Sequence, residues 1–417
     1  MNEEYSQVLD VAALAGHILL ENGAEISRVE DTMNRISSHY GVNSVNFFVL
    51  SNGIFTTGPS GYGKTGRYAN VEFIPIKGVQ LDKVSAVSAL SYDICSGKYS
   101  LEEAWDYLHK IRNSKGKPIW ESTVGSALGA AGFCAVFGGG LIDCAAAGVV
   151  GLLLNLFINI ISGKYLSKIV GGMSNAILAT ILCVAFYRLG FGESLSNMVI
   201  GSLMPLIPGV PFVNGVRDLA DSDYIAGLTR LTDAMLGFCC IALGVIVAFR
   251  LDGLFFGGMI VLDGMTTNPQ TAALWAQASA AFIGTSAFAV LFGVERNNYI
   301  TTGIIGALGW LLYLLLIRHA GFSILVSTML STMFICLLSR VFAVLRRCPS
   351  TIFLLCGIFP LVPGAGVFWT TYYLASKQFH LSLGSGWTAL TAAGAIVLGI
   401  IVAMEVPQKF FKLFKRK

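Results

Sequence analysis

The chain has 417 residues, of which 54% are hydrophobic and only 12% are charged, and its net charge is +4. Soluble globular chains carry about 25% charged residues, so the composition excludes a protein that is soluble along its whole length. The small net charge also argues against a nucleic-acid partner. Charged residues are concentrated in residues 1–117, which predicts a soluble domain followed by a membrane region.

The first 117 residues predict an α+β domain. Apolar residues recur at helical spacing over 5–21 and 25–40, and two further helices are predicted over 81–95 and 100–111. Segments 44–50 and 71–76 are rich in β-branched and aromatic residues, which predicts a hairpin. No secretory signal peptide is visible at the start of the sequence, so this domain is expected in the cytoplasm.

A glycine-rich stretch between the two predicted strands resembles a nucleotide-binding loop. Residues 58–65 match the pattern G-x-x-x-x-G-K-T letter for letter. That pattern holds phosphates only where a helix follows and points its N-terminus at them. The residues after Thr65 are typical of a strand, so we interpret the stretch as a hairpin turn. We expect neither a nucleotide nor any other cofactor, and no metal, because no cysteine pair has C-x-x-C spacing.

The membrane region predicts about ten spans of roughly 20 residues each. Their predicted bounds are 119–140, 142–162, 169–189, 195–220, 226–249, 272–293, 299–317, 321–344, 350–376 and 385–405. Lys and Arg are more frequent in the joints on the side of the soluble domain, which predicts that both termini are cytoplasmic. The basic tail from Lys409 to Lys417 predicts contact with anionic lipids.

A short motif occurs twice in the membrane region. Pro205-Leu-Ile-Pro208-Gly209 returns as Pro360-Leu-Val-Pro363-Gly364, each time in the fourth span of a group of five. The sequence therefore predicts a first five-helix repeat over 118–250, a linker over 251–271 and a second repeat over 272–417. Because five is an odd number, the second repeat is expected to be inverted relative to the first.

Both motifs are expected to lie inside the helix bundle. Proline and glycine remove backbone hydrogen bonds that lipid cannot replace, so such a break needs protein or water around it. A structural kink without a substrate is the alternative interpretation. The duplication favours a substrate pathway, for which the predicted residues are Pro205, Pro208, Gly209, Asn214, Arg217, Asp218, Asp233, Pro360, Pro363, Gly364, Tyr372 and Tyr373.

The two halves of this predicted site differ in charge. Arg217 and Asp218 align with Tyr372 and Tyr373 when the two motifs are superimposed, which indicates an asymmetric site on a common scaffold. Asp233 is included because an aspartate at the centre of a span costs about 2.5 to 3.5 kcal/mol on insertion scales. Arg217 is interpreted as the only cation within the spans.

The order of these parts resembles the threonine/serine exporter family of bacterial inner membranes. The resemblance covers nearly the whole chain and is carried by Gly23-Ala-Glu25-Ile-Ser-Arg28-Val-Glu30, by residues 205–218, by residues 224–227 and by residues 360–364. It implies a secondary exporter of small hydroxylated amino acids, driven by the proton gradient, with both halves fused in one chain. Relatives that divide the halves between two chains are linked to dicarboxylate export.

The residues themselves favour an amino acid as the small-molecule substrate. A half-helix beginning at Gly209 or Gly364, together with Arg217 and an acid, suits a zwitterion. A dicarboxylate needs a second buried cation, which disfavours a dicarboxylate exporter. That exporter and a passive channel are the two alternatives. A membrane hydrolase is disfavoured because the histidines lie in the soluble domain or at span ends. Membrane lipids are expected partners, and the sequence leaves open whether the chain forms a homo-oligomer.

We expect Lys64→Ala to leave transport unchanged, because the glycine-rich stretch is interpreted as a turn and not as a phosphate site. Equilibrium binding of a labelled nucleotide to the purified protein should show no saturable ATP binding. Tight ATP binding that the substitution abolishes would contradict this interpretation.

Overall fold

The computed structural model describes residues 2–43, 45–59, 67–75, 78–256, 260 and 273–412. The strands are β1 Asn46–Leu50, β2 Gly53–Pro59 and β3 Arg67–Phe73. The helices are α1 Asn2–Glu21, α2 Ile26–His39, α3 Leu81–Cys95, α4 Leu101–Asn113, α5 Ile119–Val136, α6 Leu141–Phe157, α7 Gly163–Tyr165, α8 Lys168–Arg188, α9 Leu195–Leu203, α10 Gly209–Ala220, α11 Tyr224–Phe256, α12 Leu274–Leu291, α13 Tyr299–Arg318, α14 Ile324–Arg346, α15 Thr351–Gly357, α16 Gly364–Ala375, α17 Phe379–Met404 and α18 Gln408–Lys412. A π-helical turn, Ile158–Ser162, joins α6 to α7.

The N-terminal residues fold around their own apolar core. Helices α1 to α4 and the antiparallel sheet β1-β2-β3 enclose buried side chains such as Leu9, Ile18, Val29 and Met33. The four predicted helices are present, and Ser100 and Glu103 form the expected capping box at the start of α4.

The sheet differs from the predicted hairpin by one strand. Residues 53–59 form β2, which pairs with β1 on one side and with β3 on the other. The β-branched and aromatic residues that follow Gly53 favour this extra strand. A strand, β3, follows the glycine-rich stretch, as expected, and the stretch itself falls mostly on residues 60–66, outside the described part of the chain.

The remainder of the chain is a bundle of apolar helices. Within the described residues, seven helices are long and apolar enough to cross a membrane, and the number is nine if each of two bent helix pairs counts as one span. The one remaining predicted span, 119–140, corresponds to α5, which is less apolar because it carries Glu121 and several Gly, Ser and Thr residues. Large apolar side chains such as Leu236 and Leu243 are exposed on these helices, as lipid contact requires.

Helix α11 extends past one predicted boundary. Helix α11 continues to Phe256 and so occupies the beginning of the predicted linker 251–271. Leu254, Phe255 and Phe256 extend the apolar helix beyond the charged Arg250 and Asp252. Most of the predicted linker lies outside the described residues.

Helix bounds and helix packing recur between the two halves of the bundle. Adding 155 to the bounds of α5 gives 274–291, the bounds of α12, and adding 155 to those of α10 gives 364–375, the bounds of α16. Helix α5 packs on α6 as α12 packs on α13, and α8 packs on α11 as α14 packs on α17. These correspondences are those of a duplicated unit.

The two halves meet along α5 and α12, where small residues allow close contact. A Cβ atom on Gly132 would lie 2.8 Å from the backbone nitrogen of Gly284. Close backbone approach through glycine is a principal source of helix association in lipid, where no hydrophobic effect drives it.

The predicted five spans in each half would give the halves opposite orientations and place both termini on one side. Reporter fusions at residue 1 and at residue 417 should therefore both be cytoplasmic, and a reporter inserted within 251–271 should be external. A reporter in the loop 138–140, between α5 and α6, should be external as well. Termini found on opposite sides would exclude the inverted five-plus-five arrangement.

Candidate functional site

The two P-L-x-P-G motifs form two broken helices that meet inside the bundle. The first bends by 58° at the start of α10 and the second by 43° at the start of α16. A Cβ atom on Gly209 would lie 2.6 Å from Cζ of Phe359, and one on Gly364 would lie 2.7 Å from Cδ1 of Ile207. Each glycine therefore packs against a residue of the other motif or directly beside it.

A cavity of about 320 Å³ lies beside the meeting point of the two breaks. Its lining residues are Gly209, Phe212, Met235, Phe238, Cys239, Ala242, Val362, Pro363, Val367, Thr370, Thr371, Gly386, Ala389, Leu390 and Ala393. Thr370 and Thr371 supply the hydroxyl groups, and both donate to carbonyls one turn earlier in α16. The cavity is thus apolar, with a half-helix beginning at its wall and two hydroxyl oxygens that remain acceptors.

Tyr372 and Tyr373 belong to an aromatic cluster farther along α16. The Tyr373 ring stacks on Trp369 with centroids 5.3 Å apart, and the Tyr372 ring packs edge-on against Phe249 at 5.5 Å. The Tyr372 hydroxyl donates to the carbonyl of Ile260 at 3.1 Å. The tyrosines therefore belong to a cluster that joins α16 to α11, whereas Arg217 and Asp218 contact the N-terminal domain.

A second group of polar contacts connects the N-terminal domain to the membrane helices. It involves residues 22–28, the segment between α1 and the first turn of α2, which we call the docking loop. Glu25 is 1% exposed, and both of its carboxylate oxygens lie 3.0 Å from Oγ1 of Thr351. Its Oε1 atom lies 3.4 Å from Nη2 of Arg217 and 2.8 Å from Nη2 of Arg28.

The second part of this junction is the buried ion pair of Asp218 and Arg230. Asp218 is fully buried, accepts from Nη1 of Arg230 at 2.8 Å, and accepts from the backbone nitrogen of Ile26 at 3.1 Å. Nη2 of Arg230 donates to the carbonyl of Ala24 at 2.8 Å. The pair therefore binds the docking loop as well as joining α10 to α11.

Backbone geometry in the docking loop makes these contacts possible. Gly23 has φ of 87°, a left-handed conformation that glycine adopts without strain, and it turns the chain at the end of α1. Its carbonyl accepts from Nδ2 of Asn214 at 2.8 Å. Beyond the turn, Oγ of Ser27 donates to Asp221 at 2.9 Å. The loop is thus hydrogen-bonded to α10 and to Asp221, the residue that follows it.

The charges around Glu25 at this junction favour its ionised form. Burial alone would raise the pKa of Glu25, but the positive charges of Arg217 and Arg28 outweigh burial and hold it well below its usual range. A carboxyl whose pKa is lowered on folding contributes stability above its unfolded pKa, and that stability is lost only as pH falls through the lowered value. The contacts of Glu25 therefore persist at mildly acidic pH.

Two of the predicted residues lie away from the junction. Asp233 is paired with Lys168 at the surface, with their side chains 37% and 75% exposed, and not in the interior. Glu30 accepts from the backbone nitrogen of Val49 at 3.1 Å and so ties α2 to β1.

Two residues of the junction were missed from the sequence. The statement that Arg217 is the only cation within the spans is wrong, because Arg230 is 5% exposed in α11. Arg230 could have been recognised from the sequence, because it lies inside the predicted span 226–249. Nothing in the sequence marked Thr351 as a member of the junction. Within the described residues, no group of three or more His, Cys, Asp or Glu could hold a metal ion.

Broken helices that meet inside an apolar bundle are features of a multi-pass membrane protein of the transporter class. Comparison with family models makes the assignment specific. The family described as "Putative threonine/serine exporter" matches residues 10–252, and the one described as "Threonine/Serine exporter, ThrE" matches residues 277–406. The chain belongs to the threonine/serine exporter family.

Individual relatives are distant but long in overlap. The chain is 23% identical to a "Probable threonine/serine exporter" of Mycobacterium tuberculosis, over 95% of this chain and 76% of that protein. It is 20% identical to a "Threonine/serine exporter" of Corynebacterium glutamicum, over 98% of this chain and 84% of that protein. It is 23% identical to a "Probable succinate transporter subunit YjjP" of Escherichia coli, over 60% of this chain and 97% of that protein. No solved structure matches the chain significantly.

Removing one partner of the buried pair should destabilise the protein strongly. Arg230→Met is expected to cost about 3–5 kcal/mol, since Asp218 would remain as an uncompensated buried charge. Lys168→Met removes a partner of the exposed Asp233 pair and should cost about 0–1 kcal/mol. Denaturation of both variants in the same detergent measures the difference. Equal costs would show that the Asp218 site is hydrated.

Proposed function

We propose that this protein is a secondary active exporter of small amino acids such as threonine and serine, driven by the proton gradient. In this proposal ten spans form two inverted repeats, and both termini are cytoplasmic. The observation that carries it is the meeting of the two broken helices, in which Gly209 packs on Phe359 and Gly364 packs on Ile207. Family membership supports the class of substrate.

The proposed pathway runs between the two repeats, past the breaks. A half-helix N-terminus carries a partial positive charge, so the starts of α10 and α16 suit a substrate carboxylate. The hydroxyl oxygens of Thr370 and Thr371, which line the cavity, can accept from a substrate ammonium or hydroxyl group. Movement of one repeat against the other about the two glycines would expose this region to each side in turn.

A dicarboxylate exporter is the second candidate, because the junction carries three arginines and one relative is named as a succinate transporter subunit. Arg230 is already neutralised by Asp218, and Arg28 and Arg217 share the charge of Glu25. The cavity lining contains no charged side chain. A single-carboxylate zwitterion therefore fits the charges better than a dianion.

Gly209→Leu and Gly364→Leu should each abolish transport, because even a Cβ atom at either position overlaps its neighbour. Gly394→Leu is the control, since a Cβ there meets nothing within 4 Å. Counterflow of labelled threonine, serine and succinate into proteoliposomes at matched protein content measures the effect and ranks the substrates.

Three results would count against the proposal. If both glycine variants transport as fast as the parent protein, the motifs are only structural kinks. Faster counterflow of succinate than of threonine would select the dicarboxylate. Threonine flux that is insensitive to collapse of the pH gradient would exclude proton coupling.

A further inference from the structure

The carboxylate of Glu25 occupies a binding site built by the membrane helices. Arg217 lies on α10 of the first half and Thr351 begins α15 of the second half, so the carboxylate contacts both halves at once. Nη1 of Arg217 also donates to Oγ1 of Thr351 at 3.0 Å, which joins the two groups into one site. The membrane helices therefore present a carboxylate site to the cytoplasmic domain, and a side chain of that domain fills it.

This site retains hydrogen-bonding capacity that Glu25 does not use. Nε of Arg217, a donor, and Oδ1 of Asn214, an acceptor, are both buried without a hydrogen-bond partner. The two residues are three positions apart on α10 and so lie on the same face of the helix. An α-amino acid brings a carboxylate for a donor and an ammonium group for an acceptor, and buried groups left unpaired are costly.

We propose that Glu25 is a tethered substitute for the substrate carboxylate, and that a substrate arriving from the cytoplasm replaces it on Arg217 and Thr351. The docking loop then leaves α10, and the path between the halves opens. This inference rests on the proposed function, because it assigns the first binding site of the exported amino acid and a gating role to the N-terminal domain.

Exchange of one carboxylate for another explains how a buried charged contact can open. Removing Glu25 alone would leave Arg217 buried and uncompensated, which costs several kcal/mol. A substrate carboxylate restores the compensation at the moment of release. Opening therefore depends on a ligand that binds the open state better than the closed one, as any ligand-driven transition requires.

Cross-linking of the docking loop to α10 tests this exchange. Ser27 and Asp221 are in hydrogen-bond contact, and neither belongs to the carboxylate site. In the full-length double variant Ser27→Cys/Asp221→Cys, a short bifunctional thiol reagent cleavable by reductant should link the loop to α10. Linked protein should lose threonine counterflow, and reduction should restore it. The variants Ser27→Cys and Asp221→Cys, each with one added cysteine, control for reaction at the native cysteines.

The chemical specificity of the exchange is measured on the same variant. Saturating threonine should slow cross-linking several-fold, whereas threoninol, which lacks the carboxylate, should not. Arg217→Gln in the same background should remove the protection by threonine.

Three outcomes would overturn the inference: protection by threoninol equal to that by threonine, no protection by either compound, or full transport by the linked protein. Each of these leaves the proposed function standing if the unlinked protein transports threonine. Absence of threonine counterflow by the parent protein would instead refute the proposed function.

Discussion

Lipid offers no hydrogen-bond partners to the backbone, and this constraint determines how the broken helices are arranged. Each P-L-x-P-G motif interrupts a helix within the apolar bundle, where the freed groups must be shielded by protein. The bundle meets this requirement by packing the two interruptions against each other, with the ring of Phe359 over Gly209 and the side chain of Ile207 over Gly364. Each break therefore shields the other from lipid, and this mutual shielding accounts for the occurrence of the motif in both halves.

Buried charge imposes a similar constraint at the face of the bundle that meets the N-terminal domain. Arg217, Asp218 and Arg230 lie in membrane helices and would be costly alone. The docking loop provides the Glu25 carboxylate, the Ile26 nitrogen and the Ala24 carbonyl that complete their shells. The N-terminal domain and the membrane helices therefore depend on each other for the hydrogen bonds of these buried groups. Neither part has satisfied polar groups at this face without the other.

Periodicity and composition revealed most of the fold because lipid and helix geometry act locally. Spans, breaks and the α+β character of the first residues all follow from windows of a few turns. Contacts between distant segments had no such local signal. The hydrogen bond between Glu25 and Thr351 joins positions 326 residues apart, and a lone threonine at a helix start carries no mark of its partner. Asp233 was predicted from its position along the span alone, which gave no sign of its pairing with Lys168.

The fusion of both halves in one chain has a consequence for assembly. Phe359 and Thr351 lie in the second half, so a chain that ended after α11 would expose Gly209 and leave Glu25 without its hydroxyl partner. Two separate halves would have to find each other in the membrane at a rate set by their abundance. A covalent connection makes their association intramolecular, fixes their ratio at one to one, and removes the dependence on expression level. The single chain is thus able to mature at low copy number, where two separate subunits would remain partly unassembled.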